Sequence, residues 1–195
     1  MCIRDRFIKS TAVHYRKYDS VVCVSEDVKK SFIEMYDMAE KVGTVYNCYN
    51  DTEVVLKADM PAFDPIFSEE MTKKEPVVVA VGRLTAQKGF DRLLRAHKRL
   101  TDEGIHHRLR ILGEGEERKS LETFIKQNEL GDSAALCGFQ NNPYPMLKCA
   151  DLYVCSSLYE GFSTTVVESL ILGTPVVTTD CTGMREILGD SEYGL

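Results

Sequence analysis

Two acidic residues, Glu160 and Glu168, stand eight positions apart in the segment Ser157-Leu158-Tyr159-Glu160-Gly161-Phe162-Ser163-Thr164-Thr165-Val166-Val167-Glu168-Ser169-Leu170. From Val166 to Leu172 every residue except Glu168 is apolar or small. A helix that is apolar all round is a buried one. An ionised carboxylate on such a helix is costly unless something pairs with it. Glu168 is therefore expected to face a ligand rather than to belong to a solvated helix face. Glu160 precedes the helix, at the carboxyl end of an expected strand 151–155, where open α/β sheets bind their ligands. Two cations form a second group, in Val81-Gly82-Arg83-Leu84-Thr85-Ala86-Gln87-Lys88-Gly89-Phe90. Gly82 and Gly89 permit a tight, open loop. Arg83 and Lys88 lie near the start of a helix, itself a place that favours anions. Arg grips a phosphate with two hydrogen bonds and Lys acts as a point charge, so the pair suits a diphosphate. Neither a Gly-Lys-Ser/Thr loop nor a Gly-x-Gly-x-x-Gly fingerprint occurs there. The competing reading of the two cations is a solvated turn.

The Glu-x7-Glu spacing with Gly161-Phe162 between the carboxylates, followed by Gly173-Thr174-Pro175-Val176-Val177, resembles the donor-site signature of retaining glycosyltransferases of family 4. Those enzymes have the two-domain GT-B fold. The likeness extends back to Pro76 and, less specifically, to Asp19. It implies that Arg83 and Lys88 hold the diphosphate of a nucleotide-sugar donor and stabilise the charge that builds on it as it leaves. It also implies that Glu160 bonds hydroxyls of the transferred sugar and that Glu168 accepts from the ribose hydroxyls. Gly82 and Gly113 become pocket walls, and the loop from Gly138 and Phe139 borders the nucleobase. Gly161, Phe162, Ser163 and Thr164 lead into the helix of Glu168. Ser163 or Thr164 is expected to cap that helix, and free N–H groups there could meet the sugar or phosphate. The resemblance favours a UDP-sugar as substrate, no cofactor and no metal. It implies an acceptor glycan or lipid-linked glycan. Two alternatives stay open: a nucleotide-sugar epimerase of GT-B type, and a non-catalytic nucleotide-binding module.

The elements needed to position these groups follow from pattern. Helix 7–18, strand 20–24, helix 26–36 with Ser25 as cap, strand 42–46 and a short helix from 51 to about 57 capped by Asp51 come first. Residues 59–75, with Pro61, Pro65 and the pair Lys73-Lys74, read as a linker. From Pro76 apolar strands (76–81, 108–112, 134–137, 151–155, 175–179) alternate with helices (90–102, 116–127, 145–149, 164–172, 184–188). Continuous apolar strands separated by helices imply a parallel sheet covered on both faces. The expected fold is thus α/β, a Rossmann-like donor domain at 76–195, truncated at its end, plus a remnant of a second α/β domain at 7–58. The first six residues read as the translation of a sequencing-library adapter and are set aside.

The chain has 195 residues, 44% hydrophobic and 28% charged, with a net charge of −6 and a pI near 5.3. This balance gives nucleic-acid binding no basic footprint. No apolar run reaches the ~20 residues of a membrane span. The 7 cysteines contain no C-x-x-C pair and several lie in apolar strands, which suits a reducing cytoplasm. The expected location is cytoplasmic, with the whole protein peripheral at the inner face of the membrane. The four histidines (14, 97, 106 and 107) are expected in packing or surface roles.

Overall fold

The computed structural model of this protein describes residues 3–61, 75–189 and 192–195. Its main body is a five-stranded sheet of order β5-β4-β3-β6-β7, parallel at every pairing. The strands are β3 (Val77–Val81), β4 (Arg108–Leu112), β5 (Ala134–Gly138), β6 (Leu152–Cys155) and β7 (Val176–Thr178). The helices between them are α4 (Phe90–Asp102), α5 (Arg118–Gln127), α6 (Tyr144–Cys149) and α7 (Thr164–Ile171), and α8 (Met184–Leu188) follows β7.

Both faces of the sheet are covered, and alternation along β3 assigns its residues. Ala80 joins Leu84, Phe90, Leu94, Leu109, Ile111 and Leu121 in a core beneath α4 and α5. Val77 and Val79 join Met146, Leu147, Tyr153, Val166, Met184 and Leu188 in a second core beneath α6, α7 and α8. On α4, Phe90, Leu94 and His97 are buried, the i, i+4, i+7 stripe of an amphipathic helix. Its outer face carries the i,i+4 ion pairs Asp91–Arg95, Lys98–Asp102 and Arg99–Glu103. Going from β3 to β4 and β5 the chain moves one way across the sheet; β6 and β7 lie on the other side of β3. The strand order reverses between β3 and β6, and ligands bind at the carboxyl ends beside such a switch point.

The first part of the chain forms a smaller unit. It contains α1 (Ile3–Tyr15), α2 (Glu26–Tyr36) and the parallel strands β1 (Val21–Cys23) and β2 (Val42–Thr44). Ser25 caps α2 as expected, its hydroxyl accepting from the Val28 N–H at 3.1 Å. The helix α3 (Asp51–Ala58) is capped by Asn50, which accepts from the Glu53 N–H at 3.1 Å, rather than by Asp51. Asp51 instead bonds the neighbouring Thr52 N–H. α3 packs on α6 and α7 of the larger unit, where Asn142 Nδ2 donates to the Lys57 carbonyl at 2.8 Å. The helix α1 includes residues 3–6, set aside at the sequence level. Of the expected linker only 59–61 and 75 fall among the described residues.

Candidate active site at the carboxyl ends of the sheet

The cation loop leaves β3 alongside the exit of β4. The Gly82 N–H donates to the Leu112 carbonyl and the Leu84 N–H to the Glu114 carbonyl, both at 2.9 Å. Gly113 sits at φ 143°, and a Cβ there would overlap the Gly82 carbonyl oxygen; only glycine lets the two backbones meet so closely. Leu84 is fully buried and anchors the loop, leaving Arg83 exposed on the rim. Val81, Gly82, Arg83, Leu112, Gly113, Glu114, Phe139, Gln140 and Pro143 line a cleft of about 400 Å³. Among the described residues Arg83 has no charged partner. The loop closes at Gly89, φ 63°, pressed against the Ser156 carbonyl. The Ser156 hydroxyl in turn donates to the Lys88 carbonyl at 2.8 Å. The exits of β3 and β6 are thereby locked together at the switch point.

Across that junction Lys88 Nζ meets Glu160 Oε1 at 2.5 Å, and the Ser157 hydroxyl donates to the same oxygen at 2.7 Å. The side chains are 23% and 11% exposed. Such a pair is weakly screened and rigidly placed. The loop before Glu160 is held by the Leu158 N–H on the Gln87 carbonyl and by Gln87 Nε2 on the Tyr159 carbonyl.

Glu168, on α7, accepts from the Tyr144 hydroxyl at 3.0 Å. Burial pushes its carboxyl pKa up, and the Tyr144 hydrogen bond opposes the shift. Burial and the facing carboxylate push Tyr144 up to about 12. Glu168 lines a second cleft of about 310 Å³ with Cys48, Tyr49, Asn50, Tyr144 and Thr164. Two expectations are corrected here. α7 is not buried all round: only Val166 and Ser169 are buried on it, because one face packs on the sheet and another looks into this cleft. Glu168 also has a protein partner, which the apolar sequence around it does not reveal. Ser163 is the N-cap residue of α7, but no side chain caps the helix.

The sequence-predicted residues thus fall into three neighbouring groups. Gly82, Arg83, Gly113 and Phe139 share the first cleft. Lys88 and Glu160 are bonded to each other beside it. Thr164 and Glu168 share the second cleft, and the adjacent residues Pro143 and Tyr144 line one cleft each. Gly138, φ 72°, follows a bulge in β5 at which Leu112 pairs with Gly138 rather than with Cys137. Bulges re-aim the residues that follow them; the next side chain, Phe139, is 73% exposed and lines the cleft. Gly161 and Phe162 lie instead against the smaller unit, where the Phe162 and Tyr46 ring centroids are 5.7 Å apart. Sequence reasoning missed Ser157 and Tyr144 as partners of the two glutamates. A serine three residues before Glu160 is a weak local hint, and Tyr144 gives none. No cluster of three metal-ligating side chains occurs among the described residues, and no helix there is long and apolar enough to cross a membrane.

A parallel, doubly wound sheet with a cation loop at its switch point defines a Rossmann-like domain of the kind found in GT-B proteins. The family profile described as glycosyl transferases group 1 matches residues 64–195, and the chain belongs to that family. It is 35% identical over 181 residues to an uncharacterised glycosyltransferase of Methanocaldococcus jannaschii, covering 90% of this chain and 43% of the relative. It is 32% identical over 183 residues to the N-acetylgalactosamine-N,N'-diacetylbacillosaminyl-diphospho-undecaprenol 4-alpha-N-acetylgalactosaminyltransferase of Campylobacter jejuni, covering 93% and 47%. The chain spans about half the length of the curated relatives it matches. Its fold superposes on the crystal structure of Anabaena HepE in complex with UDP-glucose, with a TM-score of 0.78, 20% identity and coverage of 93% and 50%.

Proposed function

We propose that the chain carries the donor half of a retaining family 4 glycosyltransferase, which moves a hexose from a nucleoside-diphosphate sugar, UDP-linked by preference, to an acceptor hydroxyl. In this reading residues 76–195 are the donor domain and 7–58 the tail of an acceptor domain. The observation that carries it is the grouping of Arg83, Lys88 and Glu160 at the reversal of strand order, beside a cleft that ends on the exposed ring of Phe139. The two cations suit a diphosphate, and fixed charges aimed at a leaving group lower the barrier where negative charge builds. Glu160, already placed by Lys88 and Ser157, offers its second oxygen to a sugar hydroxyl. Glu168, beside Tyr144, offers a carboxylate to the ribose. Phe139 offers an apolar face to the base. No metal is needed in this scheme. The acceptor hydroxyl attacks the anomeric carbon on the face that the phosphate leaves, and its proton departs with the phosphate oxygen.

The HepE complex supports a UDP-hexose, and the Campylobacter relative, named for a diphospho-undecaprenol substrate, supports a lipid-linked glycan acceptor. We place the whole protein at the cytoplasmic face of the membrane on the same ground. Titration calorimetry of the chain with UDP and UDP-glucose tests the reading. Binding of both, weakened in Arg83→Ala, is expected; a chain that binds neither would sink it. Anomeric configuration of the product, read by NMR for the whole protein, tests retention.

A further inference from the structure

The corner between the two glutamates is gripped from outside its own domain. The first N–H groups of a helix have no partner within it, and in α2 those of Glu26, Asp27 and Val28 each meet a side chain. Ser25 takes the Val28 N–H, while the N–H groups of Glu26 and Asp27 donate to the carboxylate of Glu186, on α8, at 3.0 and 2.6 Å. A helix that caps itself commonly carries a Glu or Gln at its third position, whose carboxylate or amide reaches back to the N-cap N–H. Here that position is Val28, and the carboxylate comes from 160 residues away. The grip is returned: Asp27 Oδ2 accepts from the Gly183 N–H at 3.1 Å, just before α8. Tyr46 adds a third donor to Glu186, its hydroxyl at 2.9 Å.

These contacts converge on residues 161 and 162. The Ser25 hydroxyl, fully buried, donates to the Gly161 carbonyl at 3.0 Å. Gly183, φ 80°, is pressed on that same carbonyl oxygen, 2.6 Å from where a Cβ would stand. Gly161 itself lies on Val24, and the ring of Tyr46 lies beside Phe162. Gly161 follows Glu160, and Ser163 begins the helix that carries Glu168.

We infer that Glu186 and Asp27 form a two-way latch between α8 and α2 that fixes the Gly161-Phe162 corner, making Glu186 a positioning residue for the sugar end of the donor site. The functional consequence rests on the donor-site reading above; the latch does not. Arg83 and Lys88 lie outside it, so loss of the latch leaves diphosphate binding in place and removes the contribution of the sugar.

Hydrogen exchange of the 195-residue chain, without ligand, tests the latch. Glu186→Ala should speed exchange at Glu26, Asp27 and Gly183, and across 161–164, by about ten- to a hundredfold, the scale of a charge-assisted hydrogen bond. Amides of β3 and β4 should keep their rates. Asp27→Ala should loosen the same set. Should Glu186→Ala not fold, Tyr46→Phe removes one donor only and should give a rise of roughly threefold at the same amides. Faster exchange confined to 26 and 27 would reduce Glu186 to a helix cap and overturn the proposal, as would no change. In calorimetry Glu186→Ala should bind UDP within about threefold of the unmodified chain and lose any preference for UDP-glucose; an equal loss for both ligands would overturn the positioning role. If the unmodified chain binds no UDP, the donor-site reading fails, and exchange alone still decides the latch.

Discussion

Lys88 and Glu160 neutralise one another across 2.5 Å, and Arg83 stands exposed on the cleft without a charged partner among the described residues. The two cations therefore meet a diphosphate differently. Arg83 is available outright, whereas Lys88 must share its charge with a carboxylate. Arg83→Ala and Lys88→Ala should each weaken nucleoside-diphosphate binding by about 1.5–3 kcal/mol, with Arg83 at the upper end; equal wild-type affinities in calorimetry would remove both from the site. Glu160→Gln releases Lys88, so it should bind UDP at least as tightly as the unmodified chain while losing the preference for UDP-glucose. Weaker UDP binding in that variant would mean that Glu160 orients Lys88 rather than competing for it. Glu168 behaves differently, because burial raises its pKa. A carboxyl whose folded pKa lies above its unfolded value contributes stability below the unfolded pKa, and that contribution is lost as pH rises through the folded value. At neutral pH the ionised Glu168 is thus a cost to the fold. Glu168→Gln should raise the melting temperature at pH 7 and lower affinity for the ribonucleotide more than for its 2′-deoxy analogue, which offers one hydroxyl fewer. A fall in melting temperature with equal losses for both ligands would assign Glu168 to the Tyr144 contact alone.

At the scale of elements, the helices with a clear apolar stripe were legible from sequence: α2, α4 and α8 run over the expected residues, as does strand β4. Strand ends were less so, because pairing rather than composition ends a strand. The bulge before Gly138 and the early end of β2 at Thr44 depend on neighbours distant in sequence. Of the site, residue types and spacing pointed to the charged groups, but not to the hydroxyls that hold them, since Ser and Tyr are common in every context. His97 shows the same limit. A packing role was expected, and the structure adds a chain of hydrogen bonds: its Nδ1 is 2.8 Å from His107 Nε2, and its Nε2 is 2.9 Å from the Ser133 hydroxyl. This chain ties α4 to β5 at the end of the sheet opposite the candidate site. Burial, then the neighbouring His107, lowers the His97 pKa from 6.5 to about 4. A histidine whose folded pKa is depressed contributes stability above its unfolded pKa and loses it as pH falls toward the folded value. The chain should therefore lose stability between pH 6.5 and 4, by at most about 3 kcal/mol from this residue. Urea titrations at pH 7 and pH 5 should show a smaller difference for His97→Gln than for the unmodified protein. An equal difference would place the pH dependence on other groups.

The whole molecule divides unequally. The sheet β3–β7 has helices on both faces and two cores. The unit formed by α1, β1, α2 and β2 has a two-stranded sheet, and Val22, Val45 and Tyr46 on or beside its strands are 59%, 60% and 48% exposed. Its buried apolar residues are few, chiefly Cys23, Tyr36 and Met38, supplemented by the ring cluster of Tyr15, Phe32 and Tyr36 between α1 and α2. Two strands alone are at best marginally stable in water, and three or more with a covered face are needed for independence. What the small unit lacks in core it partly recovers from its attachment to the larger one through Ser25, Asp27 and Glu186. Proteins open in cooperative units of different free energy, and here two tiers are expected. In native-state hydrogen exchange as a function of urea, amides of β1 and β2 should open with a free energy a few kcal/mol below that of β3 and β4. The lower tier should fall further in Glu186→Ala while β3 and β4 stay in place, because the latch supports the smaller unit and the 161–164 corner but touches neither of those strands. The exposed edge beside Val22 and Val45 predicts association through that unit at high protein concentration, which should appear by sedimentation and diminish with Val22→Lys. A single opening free energy shared by all four strands would show that the two sheets fold as one body, and that the contacts at Glu186 are part of one core rather than a joint between two.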